Sequence, residues 1–379
     1  MSGSSTPHAK IARSGGKTIA DTGLRKYFEA AVRYKASDII LRSGQAPRLR
    51  LKGGLKALDT SPLKAEDFEK WLQEGMSDEH WDRYEHYGSA DLGFDLNMGD
   101  EGTHRFRLNI FRTRGRSAIA GRRVDNKILT FDQLYLPPVM ADVCLQPNGI
   151  VLLCGVTGSG KSTTIASMLQ YVNDRKNVHI VTIEDPIEFL FEDSKAMINQ
   201  REVGIDVANF EDGLRALVRE NPDVVLIGEM RDRETFEAAL HAAETGHLVF
   251  GTIHASSASQ AFGRIYDLFP ANEREQIRTM LAYQFQAFIY QKLLPTLHEN
   301  IPRIPAIEIL LQTPRSRKYV LDGNENELPG VMRDSRELGM QTFTDALVDL
   351  VQKQFVHPKV AAEVAPNPDE LKMRLKGIG

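Results

Sequence analysis

Apolar residues recur at i, i+3, i+4, i+7 and i+8 through Leu24, Tyr27, Phe28, Ala31 and Val32, one stripe of a helix that Asp21 or Thr22 could cap. Residues 1–20, rich in Ser, Gly, Thr and Lys and without periodicity, are expected to form a mobile tail. Past the helix the period changes. ASDIILRSG and PRLRLKGGLKAL predict short strands with Gly-containing turns, residues 64–76 a helix, and DLGFDLN and THRFRLNIFRTRGRSAIAGRRV alternating strands with polar outer faces. Residues 21–130 therefore read as a small α+β module. Its join to the rest lies between residues 126 and 138, where alternation gives way to LYLPPV.

From Gly149 the texture is different. The runs IVLLC, VHIVTI, DVVLI and HLVFGTI are almost continuously apolar and are separated by helix-length segments. Such strands belong to a sheet covered on both faces, so residues 131–379 are expected to form an α/β domain. Further helices are predicted through Ile277, Met280, Leu281, Phe285, Phe288 and Ile289, and from Thr342 onward. There Thr342 and Asp345 have capping-box spacing, and Phe343, Ala346, Leu347, Leu350 and Val351 share a face.

Composition narrows the class. A chain of 379 residues accommodates two or three domains, and 42% hydrophobic with 26% charged residues is ordinary for a folded soluble protein. Apolar runs such as IVLLC are far too short to cross a bilayer, and the first residues have no apolar core resembling a secretory signal. A cytoplasmic protein without direct membrane insertion is expected. Cys144 and Cys154, the two cysteines, cannot supply a disulfide scaffold or a tetracysteine zinc module. With 47 basic and 51 acidic residues the formal charge is −4, which gives no general case for a nucleic-acid partner. Charge is uneven locally: residues 105–127 hold eight Arg and Lys against the single acid Asp125. No aromatic series accompanies this run to make a nucleic-acid track, so no nucleic acid is expected as partner.

The chemistry centres on Gly155-Val156-Thr157-Gly158-Ser159-Gly160-Lys161-Ser162, a complete G-x-x-x-x-G-K-[ST] followed by Thr163. A strand leads in, and Ile165, Met168, Leu169 and Val172 mark an amphipathic helix leading out, the context a chance turn lacks. Gly155, Thr157, Gly158, Ser159, Gly160 and Thr163 would line an ATP phosphate cradle at a helix N-terminus. Lys161 would reach the β- and γ-phosphates, and Ser162 would hold Mg²⁺. Hydrolysis needs more acids. Glu229 ends the apolar strand DVVLIG and can reach the Mg²⁺ shell. A second cluster, Glu184-Asp185-Pro186-Ile187-Glu188, follows VHIVTI. Both should lie at the carboxyl edge of a parallel sheet, beside the P-loop. Of the two histidines that bracket LVFGTI, His254, just past the strand end, is better placed than His247 to sense the γ-phosphate.

The blocks GVTGSGKSTT, IVTIEDPIEF, NQREVG, NPDVVLIGEMRDRETFEAALHAAETGHLVFGTIHA and RIYDLFP closely resemble the secretion-superfamily ATPases of type IV pili, nearest to the retraction or twitching-motility branch. The likeness runs from about Ala36 to about Val356. It implies a PAS-like N-terminal domain, a RecA-like ATPase domain with C-terminal helices, and a homohexameric ring at the cytoplasmic face of the inner membrane. The implied partners are a membrane pilus platform protein and, as a further candidate, a related ATPase. By resemblance Glu188 is the general base for water, Glu229 the Walker B acid and metal ligand, and His254 the γ-phosphate-facing residue. RFRLN matches the family's RFRVN and nominates Arg107, and Arg122 on the next strand, as arginines acting on a neighbour's nucleotide. The family's AIRNLI helix maps onto RSRKYV at residues 315–320, which keeps Arg317. The implied function is ATP-driven pilus retraction. The alternatives are a secretion-system ATPase powering export or an accessory nucleotide-binding subunit of a mixed ring.

Overall fold

A computed structural model describes residues 18–51, 54–124, 127–217 and 219–377. Two compact units divide it: one takes the described residues up to Lys127 together with Pro186–Leu190, the other Ile128–Asp185 and Phe191 onward.

The first unit is one antiparallel sheet with helices. Its strands are β1 (Asp38–Arg42), β2 (Arg48–Leu51), β3 (Gly54–Ala57), β4 (Ser89–Asn97), β5 (Thr103–Thr113) and β6 (Arg116–Arg123), in the order β3-β2-β1-β6-β5-β4. Alternation works as the pattern predicts: Phe106, Leu108 and Ile110 of β5 are buried while Arg107 between them is exposed. Phe28, on the helix Arg25–Arg33, meets Phe94 and Phe106 edge-on at 4.9 and 5.0 Å between ring centres. The expected tail falls outside the described residues as far as residue 17. Ile19 and Ala20, assigned to it, are buried in a short 3-10 turn. Neither Asp21 nor Thr22 is the N-cap of Arg25–Arg33, which is Leu24. Asp21 instead accepts from the Thr18 N–H, and Thr22 Oγ1 accepts from the Leu24 N–H. One helix, Asp78–Tyr87, went unanticipated because it is polar nearly all round and buries only Tyr84. Its signals are local, an N-cap at Ser77 and a left-handed Gly88 after its last turn.

The second unit is built on β7 (Gly149–Cys154), β8 (His179–Glu184), β9 (Met197–Glu202), β10 (Val224–Ile227), β11 (Leu248–Ile253), β12 (Phe285–Pro295) and β13 (Arg303–Leu311). Their order is β13-β12-β7-β11-β10-β8-β9, parallel except for the edge pair β12–β13. Alternate residues of β7 enter opposite cores: Ile150 and Leu152 pack with Phe236 and Phe262, Val151 and Leu153 with Met168 and Leu169. Burial on both faces is why these strands read as unbroken apolar runs.

The same physics overturns one expectation. The helix predicted through Ile277 to Ile289 ends at Gln284, and Phe285, Phe288 and Ile289 belong to β12. That strand lies between β7 and β13 with both faces buried, so no period of two is visible. A register shift between Phe285 and Ala287 breaks the spacing further. The C-terminal helix Phe343–Gln352 forms as predicted, with the Thr342 and Asp345 capping box in place. Residues 315–320 lie within the helix Pro314–Leu321, where Arg317 stacks on the Tyr283 ring at 5.2 Å.

Candidate functional site

Strand β7 runs straight into the P-loop, and the helix Lys161–Asn173 leaves it with Gly160 as N-cap. The backbone at Gly155 and Gly160 has φ of +147° and +88°, values that side chains disfavour. A Cβ at Gly155 would lie 2.6 Å from the Gln291 carbonyl oxygen, and one at Gly160 would lie 2.8 Å from Gln291 Nε2. At both glycines the loop is packed tightly against a neighbour on β12. Lys161 Nζ lies across the loop and donates to the carbonyls of Gly155 at 2.7 Å and Val156 at 3.1 Å. Ser159 Oγ is buried and has no hydrogen-bond partner among the described residues. Ser162 and Thr163, in the first turn of the helix, are half-buried, and Thr157 and Gly158 are exposed. A glycine-rich loop with an orphaned hydroxyl, a lysine and a helix N-terminus fits the phosphates of a nucleotide.

Because β7, β8, β10 and β11 are parallel and in register, their carboxyl ends reach one edge together. Cys154 pairs with Ile253, and Ile227 pairs with both Gly251 and Ile183. Glu229, two residues past β10, and His254, directly after β11, therefore stand at the P-loop edge. They touch: His254 Nε2 lies 3.1 Å from Glu229 Oε1. Arg231 donates to the other carboxylate oxygen at 2.5 Å. That guanidinium bond, with His254 and Lys161 nearby, outweighs partial burial and holds the Glu229 carboxyl below its ordinary range. The Glu229 carboxylate and the Ser162 hydroxyl are each oxygen donors of the hard type that Mg²⁺ takes. Glu184 and Asp185 reach the same edge. Glu184 is buried and accepts from Thr182 Oγ1 at 2.7 Å and Gln200 Nε2 at 3.3 Å, whereas Asp185 is exposed. His247, at the other end of β11, is tied to the Ala242 carbonyl at 2.8 Å.

Three nominated residues belong to the other compact unit. Glu188 is exposed on the segment Pro186–Leu190. Arg107 and Arg122 are directly opposed across β5 and β6, both exposed. Arg122 Nε lies 3.0 Å from Asp38 Oδ1, and Arg50 Nε lies 3.2 Å from Oδ2. Burial raises the Asp38 carboxyl, but the hydrogen bonds from Arg122 and Ser37 and the two guanidinium charges leave it net below its ordinary value. Two further residues of the local basic run are similarly engaged: Arg105 pairs with Asp95 at 3.2 Å and Arg112 with Glu85. Sequence reasoning missed Arg231 as the partner of Glu229, although both stand in GEMRD. It also missed Gln291, more than 120 residues from the loop it touches, for which the sequence offers no local signal.

A parallel sheet with a P-loop and a strand-end carboxylate at its carboxyl edge, behind a small antiparallel domain and ahead of C-terminal helices, is the secretion-ATPase fold. The family model described as Type II/IV secretion system protein matches residues 17–325, and the chain belongs to that family. It is 39% identical over 335 residues to the type IV pilus retraction ATPase PilT of Pseudomonas aeruginosa, covering 88% of this chain and 95% of that one. Identity to the type IV pilus ATPase PilU of the same species is 34% over 351 residues, 93% of this chain and 91% of that protein. Among solved structures, the pilus retraction motor PilT with bound ADP superposes with a TM-score of 0.84 at 40% identity, covering 94% of this chain and 99% of that chain. No helix among the described residues is long and apolar enough to cross a membrane.

Proposed function

We propose that this protein is the ATPase of a type IV pilus retraction motor, hydrolysing ATP to ADP and phosphate with Mg²⁺. The observation that carries the reading is near-full-length similarity to a retraction ATPase, together with a complete P-loop and an ionised strand-end carboxylate meeting at one sheet edge. The P-loop N–H groups and Lys161 bind and orient the phosphates, and Ser162 and Glu229 hold the metal. Held there, the metal would supply neutralisation of phosphate charge. Glu188 takes the proton of the attacking water. His254, positioned by Glu229, faces the γ-phosphate.

The division proposed is residues 21–130 as PAS-like domain, with Ile19 and Ala20 packed into its core, and 131–379 as RecA-like domain with C-terminal helices. In a homohexamer, Arg107 and Arg122 of an adjacent copy complete the site by neutralising transition-state charge. Closure on ATP and opening after hydrolysis pass work to an inner-membrane platform protein, with the ring peripheral at the cytoplasmic face. A related ATPase is a further partner, supported by the likeness to PilU. Deleting the gene tests the direction of work. Loss of twitching with surface pili retained or increased is expected, and bald cells would overturn retraction.

A further inference from the structure

Gln291 follows Tyr290, which pairs with Cys154 at the end of β7, so the strand register sets it beside the start of the P-loop. Its side chain is 1% exposed and engaged at both ends. Nε2 donates to the Ser159 carbonyl at 2.8 Å, and Oε1 accepts from Thr164 Oγ1 at 2.9 Å. A carbonyl can only accept, so the NH₂ end must face Ser159 and the flipped amide is excluded. In a planar trans peptide the C=O and the following N–H point in opposite directions. With the Ser159 carbonyl held down on Gln291, the Gly160 N–H is turned to the open side of the loop.

We propose that Gln291 is a positioning residue of the nucleotide site, fixing the Ser159–Gly160 peptide so that the Gly160 N–H is aimed at a phosphate oxygen. This rests on the P-loop reading above. Without the amide, the buried Ser159 carbonyl loses its partner, and the peptide can rotate its oxygen toward the phosphate, where it repels. Thr164 acts through Gln291 by fixing the amide's orientation. The loop carries the motif residues, but its curvature is set from a strand remote in sequence.

The test is equilibrium titration of the full-length protein with fluorescent ADP for wild type, Q291M, T164V and the double variant, with melting temperatures taken without nucleotide. Methionine keeps the length and volume of glutamine without its donor or acceptor. Q291M should bind about tenfold or more weakly and, with the Ser159 carbonyl and the Thr164 hydroxyl left unpaired, should stay folded with a melting temperature lower by about 2–12 °C. T164V should weaken binding by a smaller factor, about two- to fivefold, and the double variant should bind no worse than Q291M. Wild-type affinity in Q291M, or factors that multiply in the double variant, would overturn the strut while leaving the P-loop reading intact. Should Q291M fail to fold, T164V decides, and wild-type affinity there overturns the proposal. A wild-type protein that binds no ADP would overturn the P-loop reading itself, and this inference with it.

Discussion

Substituting Glu308 should reveal a tie between the nucleotide edge and the C-terminal helices. This residue of β13 is 6% exposed, and its two carboxylate oxygens accept from the Ala258 N–H at 2.6 Å and the Phe343 N–H at 3.2 Å. Ala258 opens the helix that follows His254, and Phe343 opens the helix Phe343–Gln352, so one carboxylate caps two helices. In E308Q one of those N–H groups meets an NH₂ instead of an oxygen, leaving a buried donor unpaired at a cost of about 1–3 kcal/mol. E308A unpairs both and should cost roughly twice as much. For a unit of this size the E308Q change corresponds to a melting temperature lower by about 2–12 °C.

The pH dependence has a definite sign. Burial pushes the Glu308 carboxyl up more than the two backbone bonds pull it back, so it titrates above its ordinary value in the folded protein. Wild-type stability is then fullest below the ordinary glutamate value and declines as pH rises from there through the raised one. E308Q lacks this decline. The gap between the two proteins should be wide in acid and narrower at pH 7.5, as read by urea denaturation at both ends. Equal midpoints at both ends would refute the double cap, and a gap that widens with rising pH would refute the dominance of burial over the two backbone bonds at Glu308.

Three shorter predictions bear on the site. R231A removes the largest influence lowering the Glu229 carboxyl, so the acid limb of the kcat/KM profile should move to higher pH; an unmoved limb contradicts the assignment. G160A forces a side chain onto a backbone with φ of +88° and 2.8 Å from Gln291 Nε2, so ADP titration should show no binding at concentrations that saturate wild type. Burial pushes both thiols far above their ordinary range, so iodoacetamide at pH 8 should label Cys144 and Cys154 in urea but not in the native protein. Rapid native labelling of either contradicts that burial.

Features written locally were legible. The P-loop, the acid after each buried strand and the Thr342 cap all depend on residues a few positions apart, and the structure puts Glu229 and His254 in contact as their strand ends imply. Periodicity served where one face of an element meets solvent, as in β5, and misled at β12, where both faces are buried. The opposition of Arg107 and Arg122 was recoverable in principle. A two-residue turn at Arg114-Gly115, both with positive φ, sets the register of the β5–β6 hairpin. Contacts such as Gln291 with Ser159 and Glu308 with Ala258 join distant segments through the strand order, and that order has no trace in any short stretch of sequence.

The proposed ATPase motor activates water with Glu188. It is tested most directly by steady-state ATP hydrolysis of the purified protein beside E188Q, with ATP binding and mass in solution measured on the same samples. A wild-type hexamer should hydrolyse ATP, and E188Q should form an intact hexamer that binds ATP and does not turn it over. Wild type that binds ATP without hydrolysing it, or E188Q that hydrolyses at the wild-type rate, would contradict the proposal.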